Sequence, residues 1–251
     1  MTHIVAGYPT LAECEKVVVT MAQAGVAFIE IQMPFSDPIA DGSTIMQANE
    51  QALANGMTTK KCFQLIQRLQ KKITTPLLIM TYYNIAFRYG LENFCARAKE
   101  CQVYGLIIPD IPIDEECHEH YIEQCNNYGL HPIQVISPIT PIRRLKQISK
   151  VASGFVYCVS TFGTTGQRTT LNPDIRTYLQ RVKKYITVPL ALGFGISDKK
   201  QVETALRYAD IAVVGSKIIN IIASAKKNRS LAVKQFLSYL LKKRKAARHQ
   251  Q

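Results

Sequence analysis

Eight short apolar runs rich in β-branched residues recur along the chain, each followed by a longer segment with apolar residues at helical spacing. The runs cover residues 3–6, 28–32, 77–81, 105–109, 132–136, 155–159, 189–192 and 211–214. Between them lie patterns such as Cys14, Val17, Val18, Met21 and Ala22, or Phe63, Ile66 and Leu69, which put apolar side chains on one helical face. A strand followed by a helix, repeated eight times, predicts an α/β chain closed into a parallel (β/α)8, or TIM, barrel. An open doubly wound sheet carries a Gly-x-Gly-x-x-Gly turn after its first strand. Here the first run leads into Gly7-Tyr8-Pro9, a simple turn.

The 251 residues and 47% apolar content suit one such barrel with one substantial core. No Ser/Gly/Pro-rich linker interrupts the alternation. A single domain is therefore expected, with residues 1–225 as the catalytic barrel and 226–251 as an appended helix and basic tail. The appended helix is expected over 229–246, with Leu231, Phe236, Leu237, Leu240 and Leu241 as its apolar face. The first residues do not read as a secretory signal. The longest apolar stretch, 211–225, is interrupted by Ser216 and Lys217 and falls short of the ~18 uncharged residues of a membrane span. The expectation is a soluble, cytoplasmic protein.

Seven dispersed cysteines form no Cys-x-x-Cys pair and have no histidines at zinc spacing, so they read as reduced structural thiols. The net charge of +13 is concentrated at one end: ten Lys and Arg and no acidic residue follow Asp210, which leaves +3 for residues 1–210. A run such as Lys242-Lys243-Arg244-Lys245 reads as a solvated helix end, and the chain has no nucleic-acid-binding motif.

In a parallel barrel of this kind the site lies at the C-terminal ends of the strands. Alternation along the second strand puts Phe28, Glu30 and Gln32 on one face and Ile29, Ile31 and Met33 on the other. If the second set faces the helices, Glu30 points into the barrel mouth, where burial lets a carboxyl hold or take a proton near neutral pH. The competing role is a buried ion pair with Lys or Arg, and no strand run supplies either at that depth. Asp37 and Asp41 follow in a loop stiffened by Pro34 and Pro38. Asp41 is suited either to orienting a polar donor on a substrate or to capping a helix that starts near Ser43.

Two glycine clusters complete the candidates. Gly163–Gly166 after the sixth strand has the composition of a mobile lid. Gly193–Gly195 after the seventh strand and Gly215-Ser216 after the eighth stand where backbone N–H groups and a helix N-terminus bind phosphate in many barrels. Apart from His3, no histidine is expected in a strand or near its C-terminal end, so a histidine metal site is not expected. His118 and His120 are placed on opposing faces of one helix. No lysine ends a strand, which leaves a Schiff-base mechanism without a nucleophile.

The segment Ile29–Ile45, read as IEIQMPFSDPIADGSTI, resembles the signature of the tryptophan synthase alpha chain family. MTYYN at 80–84, PDIP at 109–112, YCVSTFGTTG at 157–166, GFGI at 193–196 and VVGS at 213–216 follow in family order, and the resemblance covers residues 3 to about 225. It implies retro-aldol cleavage of indole-3-glycerol phosphate to indole and glyceraldehyde 3-phosphate. Glu30 matches the acid/base of that reaction, and Asp41 the aspartate that binds the indole N–H. Tyr82, Tyr157 and Phe194 match residues of the substrate site, Thr165 the lid threonine, and Gly166, Gly195, Gly215 and Ser216 the phosphate site. The resemblance also implies a pyridoxal-phosphate beta subunit as partner in an α2β2 heterotetramer, with no cofactor and no metal in the alpha chain itself.

Several positions depart from the family pattern. The chain starts at the first strand without the family's preceding helix, so an exposed barrel floor is expected. Gln32 stands where glycine is usual and is expected to crowd the site, Ser43 replaces a proline, and Lys217 follows the phosphate-site serine. Gln32 and the absent helix motivate an alternative, a non-catalytic barrel that binds the phosphate ligand only to activate its partner.

Overall fold

The structure is a computed structural model that describes residues 1–159, 175–193, 195–225 and 227–242. Its strands are β1 (Thr2–Val5), β2 (Ile29–Gln32), β3 (Leu77–Met80), β4 (Gly105–Ile107), β5 (His131–Ile136), β6 (Val156–Val159), β7 (Leu190–Gly193) and β8 (Ile211–Ala212). The helices are α1 (Leu11–Gln23), α2 (Ser43–Ala54), α3 (Thr59–Gln70), α4 (Tyr83–Tyr89), α5 (Leu91–Glu100) and α6 (Glu116–Glu119). They continue as α7 (Tyr121–Asn127), α8 (Ile142–Val151), α9 (Ile175–Lys183), α10 (Lys199–Ala205), α11 (Ser216–Ser224) and α12 (Arg229–Leu241).

All neighbouring strands pair in parallel and in chain order. The ring closes where Thr2 bridges Val214: His3 N–H donates to Val214 O at 3.2 Å and Val214 N–H to Met1 O at 3.1 Å. The expected (β/α)8 barrel is therefore present, with every expected strand in place. Several ladders end a residue or two earlier than the apolar runs. In β4 the run to Pro109 includes a residue with no N–H to donate, and the ladder stops at Ile107.

Strand alternation divides the apolar residues into two cores. Ile29, Ile31, Ile79, Leu106, Leu190 and Leu192 face the helices, while Leu78, Met80, Ile107, Ile133, Phe155, Ala191 and Val213 fill the barrel interior. Because both faces are covered, β3 reads as an unbroken apolar run, Leu-Leu-Ile-Met, buried throughout. Side-chain oxygens start several helices: Thr10, Thr58 and Asp198 accept N–H bonds from Glu13, Lys61 and Gln201. Six of the seven cysteines are buried free thiols, and Cys117 is exposed.

Two histidine expectations are corrected. His131 opens β5, but at the end of the barrel away from the mouth, where its ring lies tilted against Tyr104 at 4.4 Å and its Nδ1 pairs with Ser153 Oγ at 3.0 Å. His120 does not share a helix with His118: its left-handed backbone (φ 53°) separates α6 from α7. The terminal helix packs Val233, Leu237 and Leu240 inward, with Arg229 Nε donating to Ile222 O at 3.2 Å. At the barrel floor a cavity of about 210 Å³ is lined by Met1, Val26, Leu206, Leu237, Leu240 and Leu241, among others. No described helix is long and apolar enough to cross a membrane.

Candidate active site

The site begins on β2. Ile29 and Ile31 pack outward into the helix-facing core, so Glu30 and Gln32 turn into the barrel, as period-two alternation requires. Glu30 is 4% exposed. It is not alone at that depth. His3, its register partner on β1, is equally buried, and His3 Nδ1 lies 3.0 Å from Glu30 Oε1. Among the described residues no Lys or Arg reaches this depth, but an imidazole one strand away does. Burial alone would lower the His3 pKa, but the charge and hydrogen bond of Glu30, with the charge of Asp41, more than offset it and hold it above 6.5.

Asp41 is 3% exposed and faces the same space. It does not cap a helix: α2 starts at Ser43 with Gly42 at the cap position. Two donors converge on Asp41 Oδ2, Gln32 Nε2 at 2.6 Å and Tyr82 Oη at 3.1 Å, and neither uses Oδ1. Burial pushes the Asp41 carboxyl above its ordinary pKa, against the lowering effects of the Gln32 bond and the His3 charge. Gln32 thus supplies one of the two side-chain donors to Asp41 Oδ2, so its place on β2 has a use within a site that keeps both carboxyls.

The loop between Glu30 and Asp41 is tied to the scaffold. Phe35 N–H donates to Asn49 Oδ1 at 3.0 Å, and Asn49, buried in α2, donates onward to Ile45 O at 2.9 Å. Tyr82 is fully buried, stacks on Phe35 at 5.3 Å and accepts the Ala40 N–H at 3.1 Å, so it holds both ends of the loop. A carboxylate placed by a strand and a braced loop keeps one geometry, which acid–base chemistry needs.

Tyr157 projects from β6 into this space, and both Glu30 and Asp41 act on it electrostatically; burial first, and then these two charges, raise its phenol pKa well above the usual value. Gly193 on β7 makes room for it. A Cβ at Gly193 would sit 2.6 Å from Tyr157 Cε1 and Oη, so glycine here serves the tyrosine ring and not, as its place in the Gly-Phe-Gly turn suggested, only an anion.

Gly195 adopts a positive φ of 83° after β7. Gly215 precedes α11, whose first residue is Ser216, and the opening N–H groups of a helix have no intrahelical acceptor. Gly215 also lies next to His3: a Cβ placed on it would be 3.5 Å from His3 Cβ. His3 therefore lies between Glu30 and the start of α11. Thr165, Gly166 and Phe194 lie outside the described residues. Among the described residues no group of three or more His, Cys, Asp or Glu is placed to hold a metal.

Sequence reasoning missed His3 as the partner of Glu30 and Gln32 as the partner of Asp41. The signal for His3 was a polar residue at an inward position of a strand adjacent to the acid.

Comparisons with known proteins agree with this geometry. The family described as tryptophan synthase alpha chain matches residues 1–248. The tryptophan synthase alpha chain of Petrotoga mobilis is 41% identical over 222 residues, covering 88% of this chain and 85% of that protein. That of Syntrophotalea carbinolica is 42% identical over 222 residues, 88% of this chain and 87% of its own. Among solved structures, the tryptophan synthase complex from Pyrococcus furiosus superposes with a TM-score of 0.87 at 31% identity, covering 96% of both chains. Mycobacterium tuberculosis tryptophan synthase gives a TM-score of 0.88 at 26% identity over 95% of this chain and 89% of that one. With the eight-stranded barrel, the inward Glu30 and the braced Asp41 already in place, these matches show that the chain belongs to the tryptophan synthase alpha chain family.

Proposed function

We propose that Glu30 and Asp41 carry out in this protein the activity of the tryptophan synthase alpha chain, the lyase cleavage of indole-3-glycerol phosphate to indole and glyceraldehyde 3-phosphate. Glu30 gives a proton to the indole C3 carbon, and positive charge develops on the ring. Asp41 accepts the indole N–H bond and balances that charge, an electrostatic contribution made where charge appears in the transition state. Glu30 then takes the proton of the adjacent glycerol hydroxyl as the bond from C3 to the glycerol carbon breaks. The hydroxyl becomes the aldehyde carbonyl, and the electron pair of the broken bond restores the aromatic ring. One proton leaves oxygen and one reaches carbon, so no water or cofactor is consumed in this chain.

Tyr82, Tyr157 and Phe194 border the substrate, and Gly166, Gly195, Gly215 and Ser216 hold the phosphate, with Thr165 closing the lid over it. In this reading residues 1–225 are the catalytic barrel of a cytoplasmic enzyme, and 226–251 an appended helix and tail. The observation that carries the assignment is the joint burial of Glu30 and Asp41, with Gly215 at the start of α11 packed against the histidine that holds Glu30.

The partner in this reading is a pyridoxal-phosphate beta subunit in an α2β2 heterotetramer. Ile39, Phe87, Ile139 and Ile142 are exposed apolar side chains on segments that follow β2, β3 and β5 on the mouth side, consistent with a docking face. Incubating the purified chain with indole-3-glycerol phosphate should release indole, and adding a beta subunit should raise the rate and yield a complex on gel filtration. Absence of indole under both conditions would contradict the activity. Indole release indifferent to a beta subunit that does not co-elute would contradict the partner alone.

A further inference from the structure

We infer that His3 is a positioning residue that forms with Glu30 a dyad sharing one proton, from which Glu30 supplies the substrate and to which it returns the proton it takes back. The inference deepens the assignment of Glu30 as the acid–base group and rests on it.

Three observations carry it. His3 Nδ1 and Glu30 Oε1 are 3.0 Å apart inside the barrel, within reach of direct proton transfer. The second polar atom of each group, His3 Nε2 and Glu30 Oε2, is buried and has no hydrogen-bond partner among the described residues. An ion pair serving only to fasten β1 to β2 would be expected to satisfy its remaining atoms, because leaving a buried polar atom unpaired is costly. Such atoms are tolerated where a substrate or a water completes them. Finally, the residue is seated by its main chain, its backbone N–H donating to Val214 O at 3.2 Å, and a side chain at Gly215 would come within 3.7 Å of the ring, so only the small glycine borders it there.

Proton balance gives the pairing its use. Cleavage needs Glu30 protonated at the first step and ionised at the second. A carboxyl with an ordinary pKa is ionised at neutral pH, with no proton to give at the first step. With His3 beside it, the proton rests on the imidazole, crosses the 3.0 Å bond to Glu30, passes to C3, and is replaced from the hydroxyl. The dyad starts and ends the cycle with one proton. Among the described residues the other titratable groups facing the dyad are Asp41 from the β2 loop, which favours the cationic imidazole, the Met1 amino group ahead of β1, which interacts with the Glu30 charge, and the Tyr157 phenol on β6, which stays neutral. Loss of the dyad proton is a property of the pair, and its pKa cannot lie below that of either partner with the other neutral.

The test is the pH dependence of indole release by wild type, His3→Asn and His3→Phe, together with histidine NMR titration of wild type and Glu30→Gln. In the variants the alkaline limb of kcat should move to lower pH, with kcat at neutral pH reduced by roughly tenfold or more and KM little changed. The NMR titration should show a His3 imidazole in the wild type that stays cationic above 6.5 and loses that elevation in Glu30→Gln. An unmoved alkaline limb in folded variants would overturn the proposal. So would a wild-type His3 that is already neutral at its ordinary pKa, a readout independent of whether the variants fold. If Glu30→Gln keeps full activity, the assignment of Glu30 itself fails; if Glu30→Gln is inactive while His3→Asn titrates as wild type, only the dyad fails.

Discussion

Glu30→Gln should lower kcat for indole release by about 10²–10⁴-fold, the range that a positioned acid–base group supplies, while the barrel stays folded. Glutamine has the same shape and keeps an amide oxygen where Glu30 Oε1 accepts from His3, so the bridge between β1 and β2 survives as a neutral hydrogen bond. What is lost is the capacity to release and recover a proton. Stability should change little, because the substitution removes a buried charge together with the need for a counter-charge on His3. Parallel circular dichroism melts and steady-state indole assays separate the two effects. A folded variant with wild-type turnover would remove Glu30 from the reaction.

Asp41→Asn should lower kcat by about 10²–10³-fold, or roughly 2.7–4 kcal/mol of transition-state stabilisation. The asparagine oxygen still accepts from Gln32 and Tyr82, so the loop keeps its place. The negative charge that balances the protonated indole ring is gone. Because the charge matters only once the ring becomes positive, the loss should fall on kcat and leave KM nearly unchanged. Burial is the reason the effect is large: Asp41 is 3% exposed, and solvent does not screen it from the substrate. Steady-state kinetics on the folded variant decide the matter, and a loss confined to KM would mean that Asp41 binds the substrate without favouring its transition state.

The barrel was legible because its signal is local. Each strand is buried on both faces and so carries a compact apolar run, and eight such runs spaced by amphipathic helices leave few alternative topologies. Glu30 was legible for the same reason, since period-two alternation along a single strand decides which way it points. The relations across strands were not. Whether His3 meets Glu30 depends on the stagger between β1 and β2, which barrel closure sets and neither strand encodes alone. Gln32 was misjudged on similar grounds. Its bulk was visible in the sequence, but the fold of the Met33–Ala40 loop that brings Asp41 within 2.6 Å of its amide was not. Gly193 read as part of a phosphate turn, whereas its contact with Tyr157 arises from the pairing of β6 with β7.

The substitution of glutamine for the usual small residue on β2 also has a physical rationale. Gln32 Nε2 supplies Asp41 with a donor in addition to Tyr82, while its own Oε1 is buried without a partner. A donor placed on the strand itself is held more rigidly than one on a loop, and it fixes the aspartate before substrate arrives. The barrel mouth therefore carries two side-chain pairs, His3 with Glu30 across β1 and β2, and Gln32 on β2 with Asp41 on the loop that follows it.

The structure of Glu30→Gln crystallised with indole-3-glycerol phosphate addresses the central claim most directly, since the inactive variant should retain intact substrate. Phosphate oxygens should accept the backbone N–H groups at Gly215 and Ser216, the indole N–H should meet Asp41, and residue 30 should face the C3 carbon and the adjacent hydroxyl. A phosphate bound away from the α11 N-terminus, or an indole ring out of reach of residues 30 and 41, would contradict the account.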